Sequence, residues 1–222
     1  MKSEVLHLCN WATTHRGTPI ELYQKTHTGQ APWLFIGGVH GDEPEGVILG
    51  QSLARWLTDE EKQSPLKNSW ILIPCLNPDG FSSLQRTNSR GVDLNRNFPT
   101  HDWTSESRGP RYSPGSAPGS ENETQALVQL IQQTRPEVIF HFHSWIPSIV
   151  YTGEDGRPWA DFFENAQYPA QPDIGYPTPG SLGQYGWYQH KVPVICIEEK
   201  AGVSLDTVWS HFESGFRRMF HR

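Results

Sequence analysis

The chain has 222 residues and a formal net charge of −6 at pH 7, and 36% of its residues are hydrophobic. This length suffices for one well-packed domain, so we predict a single catalytic domain over residues 1–222. The acidic charge and the lack of any lysine or arginine run argue against a nucleic-acid partner. The apolar runs are too short for a signal peptide or a membrane span, which predicts a cytoplasmic protein without a membrane partner.

Short apolar strands alternate with helical patterns along the chain. Four strands are predicted at residues 33–37, 70–75, 138–143 and 192–197, and three helices at about 44–57, 121–134 and 204–220. Ser204 is a plausible N-cap for the closing helix. This alternation predicts an α/β fold with a largely parallel or mixed central sheet. In such folds the active site lies at the carboxyl ends of the strands.

Residues 100–120 are rich in serine, proline and glycine. They are either a linker that divides the chain near residue 110 or a long ordered surface loop. We favour the ordered loop, because residues on both sides of it are needed to build one site.

A histidine and a glutamate follow the first predicted strand directly, at His40 and Glu43. Zinc accepts imidazole nitrogen and carboxylate oxygen as ligands, and a loop between a strand and a helix can direct both at one point. The H-x-x-E spacing alone is weak, because many surface loops contain it.

Two further histidines occupy the end of the strand at 138–143. Strand alternation places His141 and His143 on one face and the two neighbouring phenylalanines on the other. A histidine in a strand is usually an ordinary core or surface residue, but two on one face favour a metal ligand. One of them would complete a set of three protein ligands, which leaves the fourth zinc position open as in catalytic sites.

Two other segments carry polar groups suited to amide hydrolysis. Glu198 and Glu199 end an apolar strand, where one carboxylate could accept and return a proton, although both could simply be solvated. Residues 86–98 contain three arginines and several amides without helical or strand periodicity. Arginine can bind a carboxylate with paired hydrogen bonds or stabilise an oxyanion, so this segment is either a substrate-binding loop or a solvated basic loop.

The order of these clusters resembles that of the zinc carboxypeptidase family. The sequence shows H-x-x-E at 40–43, N-P-D-G at 77–80, an arginine before G-V-D-L-N-R-N-F at 91–98, H-S at 143–144 and a glutamate at the end of a late strand. Each piece is weak alone, but five in this order over residues 33–200 are specific. The short branch typified by murein peptide amidase A is the most similar, through the segments GGVHGDE, NPDGF, GVDLNRNFP and TPGSLG.

The resemblance implies a single α/β/α domain with a mixed, mostly eight-stranded sheet and one Zn²⁺ per chain. His40, Glu43 and His143 would bind the metal, with His143 preferred to His141 because the family ligand directly precedes a serine. Glu198 would be the general base and acid, a choice over Glu199 that the resemblance leaves less certain. Arg86 would stabilise the oxyanion, and Asn95 and Arg96 would hold the substrate carboxylate.

Two positions depart from the larger carboxypeptidases. Those enzymes carry a mobile tyrosine that contacts the substrate carboxylate; Tyr185 is taken here as the substrate-binding candidate, with Tyr176 as the alternative. Leu182 follows Gly180-Ser181 where enzymes that release basic residues carry an acidic one, which argues against simple release of lysine or arginine.

The resemblance thus predicts a zinc metallopeptidase that cleaves an amide bond beside a carboxylate-bearing residue. In the murein branch this bond links γ-D-glutamate to meso-diaminopimelate in a cell-wall peptide. The alternatives are a general carboxypeptidase or deglutamylase acting on protein tails, an N-acyl amino acid deacylase, and an inactive binding module that keeps the fold. The sequence gives no indication of the oligomeric state.

Overall fold

The central feature is one mixed sheet of eight strands, seen in a computed structural model that describes residues 5–222. The strands are β1 (Leu6–Thr13), β2 (Pro19–Lys25), β3 (Trp33–Ile36), β4 (Trp70–Ile73), β5 (Val138–Trp145), β6 (Ser148–Tyr151), β7 (Ala170–Gln171) and β8 (Val194–Lys200). The helices are α1 (Pro44–Gln63), α2 (Pro78–Ser83), α3 (Asn122–Thr134), α4 (Arg157–Ala160) and α5 (Val208–Phe220), with a π-helical turn at Gln184–Gln189. The spatial order is β1-β2-β4-β3-β5-β8-β6-β7, which confirms the predicted α/β fold.

The four inner strands are parallel, in the order β4-β3-β5-β8. All four are almost entirely buried, as expected for a sheet that is covered on both faces. Their carboxyl ends meet at one edge, where the predicted site residues lie. Antiparallel strands flank them on both sides. On one side β2 pairs with β4 and β1 pairs with β2, and on the other side β6 pairs with β8.

Separate hydrophobic layers cover the two faces of the sheet. Phe140 and Phe142 of β5 belong to the layer that includes residues of α1 and α5. Ile139, on the opposite face, belongs to the layer that includes residues of α3 and the π-helical turn. His141 and His143 alternate with the phenylalanines and share the face of Ile139, as the strand period predicts.

Helix α1 lies unusually close to β5 at Gly46. An ideal Cβ on this residue would lie 2.4 Å from the carbonyl oxygen of Phe142, so no larger residue fits without movement. This contact holds the N-terminus of α1, and with it Glu43, beside the end of β5. The approach of helix to strand thus brings together two site residues 100 positions apart in the chain.

The segment 100–120 packs on the loop that precedes it. The side-chain amide of Asn97 donates to the carbonyl oxygens of Pro114 at 2.8 Å and Ala117 at 3.1 Å. Strands from both sides of this segment belong to the same sheet.

The sequence patterns located the four inner strands and the three long helices but not the flanking strands β1, β2, β6 and β7. The N-cap prediction for Ser204 is wrong, because a short 3-10 turn at Leu205–Thr207 precedes α5 and Ser204 makes no side-chain capping hydrogen bond. Within residues 5–222, none of the helices combines the length and apolar character needed to cross a bilayer.

Candidate metal centre and active site

Three buried side chains converge at the carboxyl edge of the sheet. His40 lies in the loop after β3, Glu43 directly precedes α1, and His143 lies in β5. The Nδ1 atoms of His40 and His143 are 2.9 Å apart, and the Glu43 carboxylate lies 2.8 Å from the first and 2.7 Å from the second. Two imidazole nitrogens and one carboxylate oxygen are a donor set that suits zinc.

Each of the two histidines has its Nε2 atom directed at another buried side chain. His40 Nε2 lies 3.0 Å from Asp93 Oδ1, and His143 Nε2 lies 2.8 Å from His141 Nδ1. Such partners fix the ring orientation and leave Nδ1 as the free ligand atom. Both rings are therefore oriented for binding a metal through Nδ1.

Asp93 also holds Arg86 in place. Its Oδ2 atom accepts from Arg86 Nε at 2.9 Å, and Arg86 Nη1 donates to Glu43 at 3.0 Å. Burial opposes the charge of Asp93, but His40, Arg86 and Arg96 outweigh it and lower the pKa of Asp93. In the same way burial is outweighed by His40 and His143, which hold the pKa of Glu43 well below its usual value. Both carboxylates are thus ionised at neutral pH.

A second group of possible ligands comprises His141, His143 and Cys196. Burial and the carboxylate of Glu198 raise the pKa of the Cys196 thiol well above its usual value. Because the thiolate is the form that binds metal, this group is the weaker candidate. The geometry therefore favours His40, Glu43 and His143.

Glu198 and Glu199 lie on opposite sides of β8. Glu198 pairs with His143 in the sheet register and lines the cleft above the ligands. Its Oε1 atom lies 3.2 Å from Cys196 Sγ, and its buried Oε2 atom has no hydrogen-bond partner within residues 5–222. Burial and the charge of Glu43 raise the pKa of Glu198, against the opposing effect of His143.

Glu199 points away from the cleft into the opposite layer. It accepts from Tyr168 Oη at 2.6 Å and lies 2.6 Å from His211 Nδ1 of α5. Both of its oxygens therefore have partners, and only Glu198 is free to contact a substrate.

The site opens into a cleft of about 1120 Å³. Asn95 and Arg96 line it, and Asn95 Oδ1 accepts from the backbone N–H of Leu182 at 2.9 Å. Arg96 is 8% exposed, and within residues 5–222 it has no carboxylate partner. Burial lowers the pKa of Arg96 and the charge of Asp93 opposes this effect, yet an arginine remains charged at neutral pH, so the cleft contains a buried cation that forms no ion pair with a carboxylate of residues 5–222.

Tyr185 does not reach the cleft. It is 1% exposed, packs on Phe98 with ring centroids 5.7 Å apart, and its hydroxyl accepts from Gln132 Nε2 at 3.1 Å. Its predicted contact with substrate does not fit this position. Tyr176, the alternative, lines the cleft below the guanidinium of Arg108.

Leu182 likewise lies in the hydrophobic core, with no exposed surface, rather than on the cleft wall. Its apolar character therefore says little about substrate preference, and Leu182 does not argue against the release of lysine or arginine.

Sequence reasoning gave no role to several residues that the fold brings to the site. Asp93 was visible inside the G-V-D-L-N-R-N-F segment, but only the structure shows it between His40 and Arg86. Arg108 and Arg111 reach the cleft from the 100–120 loop, and Arg111 pairs with Asp42 at 2.7 Å. A composition rich in serine, proline and glycine gives no signal for such a role.

The class of protein follows from comparison of the whole chain with known families. The profile of the zinc carboxypeptidase family matches residues 1–198, so the chain belongs to that family. The family and the His40, Glu43 and His143 geometry together identify zinc as the metal and a hydrolase as the class of enzyme.

Among curated relatives, murein peptide amidase A of Escherichia coli (strain K12) is 34% identical over 182 residues, 76% of this chain and 72% of the relative. Murein peptide amidase A of Vibrio campbellii is 29% identical over 218 residues, 92% of this chain and 84% of the relative. Human carboxypeptidase D is 37% identical over only 86 residues, which are 32% of this chain and 6% of the relative.

Solved structures extend the comparison to the fold. The murein-tripeptide amidase of Escherichia coli O157 superposes with a TM-score of 0.78 at 27% identity and covers 99% of this chain and 92% of that one. Bovine thrombin-activatable fibrinolysis inhibitor reaches a TM-score of 0.79 at 18% identity over 98% of this chain and 90% of that one. At that identity the second likeness concerns the fold alone.

Removal of the His143 side chain should abolish stoichiometric zinc binding, because two ligands remain from a set of three. We expect His143→Ala to hold well below one zinc per chain, measured by metal analysis after dialysis. His141→Ala keeps all three proposed ligands but removes the partner of His143 Nε2, so it should bind zinc with lower affinity. The exposed cleft residue Asp173 provides the matched control, Asp173→Ala. Full zinc content in His143→Ala would show that another residue is the ligand.

Asp93→Asn should weaken zinc binding without removing a ligand. The carboxylate that orients His40 becomes a neutral amide, and loss of such a partner typically lowers metal affinity about 10–100-fold. Competition with a chelator measures this change, with the exposed cleft residue Asp173→Asn as the control. Equal zinc affinity in both variants would contradict a role for Asp93 in orienting His40.

Proposed function

We propose that this enzyme hydrolyses murein peptides at the amide bond between γ-D-glutamate and meso-diaminopimelate. The observation that carries the proposal is the buried guanidinium of Arg96, which lies on the same cleft as the metal ligands, donates to the carbonyl oxygen of Asn95 and forms no ion pair within residues 5–222. An anionic group beside the scissile bond would supply the missing counter-ion. The names of the relatives that match most of the chain support a cell-wall peptide as its source.

In this proposal Glu198 transfers the proton. His40, Glu43 and His143 would hold the zinc ion, which would supply Lewis acidity toward the carbonyl and the attacking water. Glu198 lines the same cleft with a free oxygen, so it can take a proton from that water and pass it to the leaving amine. Its raised pKa suits a group that must both accept and release a proton.

Arg86 is the proposed oxyanion-stabilising residue. Two carboxylates hold its guanidinium, at 2.9 Å from Asp93 and 3.0 Å from Glu43. A donor fixed in this way needs little reorganisation when negative charge develops on the carbonyl oxygen.

Asn95 and Arg96 are the proposed binding residues for the substrate carboxylate. The side-chain oxygen of Asn95 is engaged by the Leu182 backbone, which leaves the amide N–H groups for a ligand. Tyr176, rather than Tyr185, is the proposed tyrosine contact, because it lines the cleft.

A general carboxypeptidase or deglutamylase is the second candidate, because it would use the same metal, base and carboxylate-binding residues. An N-acyl amino acid deacylase and an inactive binding module have no specific observation in their favour. The cytoplasmic location, the absence of a membrane partner and the single domain over the whole chain stay predictions.

Mass spectrometry of products from L-Ala-γ-D-Glu-meso-diaminopimelate tests the substrate. We expect the zinc-loaded protein to release free diaminopimelate, because the cleft can bind its carboxylate beside the metal. An established murein amidase serves as the positive control. No release by this protein, with cleavage in the control, would exclude this substrate and favour peptide or polyglutamate tails.

Glu198→Gln should abolish turnover while zinc stays bound, because the amide cannot accept a proton. General acid–base groups contribute about 10²–10⁴-fold to rates, so a fall of at least about 100-fold is expected. Glu199→Gln is the matched control and should affect stability more than the turnover of folded protein, since the Glu199 carboxylate is bound by Tyr168, His211 and the backbone N–H of Lys200, away from the cleft. Unchanged turnover in Glu198→Gln would rule out the assigned mechanism.

A further inference from the structure

Arg111 and Asp42 form an ion pair on the cleft that the proposed reaction does not use. Both residues line the cleft, and Arg111 Nη1 lies 2.7 Å from Asp42 Oδ2. The other carboxylate oxygen, Asp42 Oδ1, is buried and has no hydrogen-bond partner within residues 5–222. The Arg111 side chain is 56% exposed, and an ion pair at such a position adds little to the stability of a fold. The free oxygen beside this pair instead indicates a contact with ligand.

The turn that carries Arg111 is docked against the proposed oxyanion donor. The guanidinium carbon of Arg86 lies 5.2 Å from the centre of the Tyr112 ring, directly after Arg111 in the chain. The backbone carbonyl of Ser113 accepts from the backbone N–H of Asp93, which also holds Arg86, at 2.8 Å. These contacts fix Arg111 beside the point where the scissile carbonyl would lie.

The ion pair belongs to the Arg86 side of the cleft. Burial lowers the pKa of Arg86, and the carboxylates that more than offset this effect include Asp42. Arg108, the other arginine of the 100–120 loop that lines the cleft, lies instead toward Arg96, whose pKa is lowered by burial and by charges that include Arg108. Because Arg96 is the proposed partner of the carboxylate on the leaving residue, Arg111 and Asp42 border the acyl part of the substrate.

The two side chains match a carbon atom that carries both a carboxylate and an amide N–H. A guanidinium has five N–H groups in one plane, so contact with Asp42 leaves others for a second carboxylate. The free Asp42 oxygen can accept a hydrogen bond from an N–H on the same ligand. In a γ-linked glutamyl residue the α-carbon carries both groups, and two methylene groups separate it from the scissile carbonyl. In an α-linked peptide the α-carboxyl group is itself the scissile carbonyl, so no free carboxylate remains there.

We propose that Arg111 and Asp42 form a subsite for a γ-linked glutamyl residue on the acyl side of the scissile bond, where Arg111 donates to its α-carboxylate and Asp42 accepts from its N–H. The inference rests on the proposed function and deepens it, because it assigns the residues that distinguish a γ-glutamyl bond from an ordinary peptide bond.

Two tripeptides that differ only at the α-carboxyl group of glutamate test the role of Arg111. They are L-Ala-γ-D-Glu-meso-diaminopimelate and its D-isoglutamine counterpart, in which that carboxylate is a carboxamide. Values of kcat/KM for both are measured with zinc-loaded wild type, Arg111→Met and Arg111→Lys. Arg157→Met is the matched control, because Arg157 forms a similar exposed ion pair with Asp161, at 2.6 Å and away from the cleft.

The ratio of the two kcat/KM values measures the contact with the carboxylate. A hydrogen bond to a charged group corresponds to about a 10–100-fold preference, and an exposed ion pair to about fivefold or less. Since Arg111 is partly exposed, we expect the wild type and Arg157→Met to prefer the carboxylate by about five- to tenfold. Arg111→Met should lose most of this preference, and Arg111→Lys should keep part of it. The ratio does not depend on the fraction of folded enzyme, so a variant that folds poorly still gives a result.

A third tripeptide, with an ester oxygen in place of the glutamyl N–H, tests Asp42 in the same way. We expect the wild type to cleave it several-fold less well than the parent tripeptide, and Asp42→Ala to show a smaller difference. Equal ratios in the wild type and Asp42→Ala would remove Asp42 from the subsite.

An unchanged preference in Arg111→Met, or equal cleavage of the carboxylate and carboxamide tripeptides by the wild type, would overturn the proposal while the proposed function stands. If the wild type cleaves neither tripeptide, the proposed function fails and the subsite fails with it.

Discussion

The buried carboxylate of Glu43 is the interaction on which the site depends. It contacts His40, His143 and Arg86 at 2.7–3.0 Å, and these residues come from different parts of the chain. Burying an ionised carboxylate costs several kcal/mol, so it is tolerated only with such a complete set of partners. The close packing of α1 on β5 at Gly46 places Glu43 where all three partners can reach it.

The partners of the histidines extend this network in two directions. On one side Asp93 orients His40 and also holds Arg86, so the metal ligand and the proposed oxyanion donor share one buried anion. On the other side His143 contacts His141, which lines the cleft. One hydrogen-bonded network thus links the proposed metal ligands with the proposed oxyanion-stabilising arginine.

The inner strands could be predicted from local patterns, whereas the three proposed metal ligands came from the order of motifs shared with the zinc carboxypeptidase family, and the structure brings those three side chains together. Continuous apolar strands identify a sheet that is covered on both faces, and parallel strands bring the residues at their ends together. Neighbouring residues of a strand point to opposite faces, and the structure places Glu198 and Glu199 on opposite faces of β8. The orientation of Tyr185 and Leu182 could not be predicted from the sequence, because the π-helical turn and the loop before it determine which side chains face the cleft. No periodicity in the sequence describes that geometry. The positions of the arginines in the 100–120 loop could not be predicted either, since they depend on packing against residues far along the chain.

The substrate depends on the residues that line the cleft, and the fold alone does not determine it. Bovine thrombin-activatable fibrinolysis inhibitor shares the fold at a TM-score of 0.79 with only 18% identity, so the scaffold supports widely diverged sequences. In this chain the cleft is lined both by charged groups such as Arg86, Arg96 and Glu198 and by uncharged polar side chains such as Thr152 and Gln184. The polar side chains of such a cleft discriminate between substrates by hydrogen-bond pairing, since an unmatched donor or acceptor in a buried position costs more than a matched one gains. A change in a few lining residues can therefore change the substrate while the fold and the proposed metal ligands stay the same.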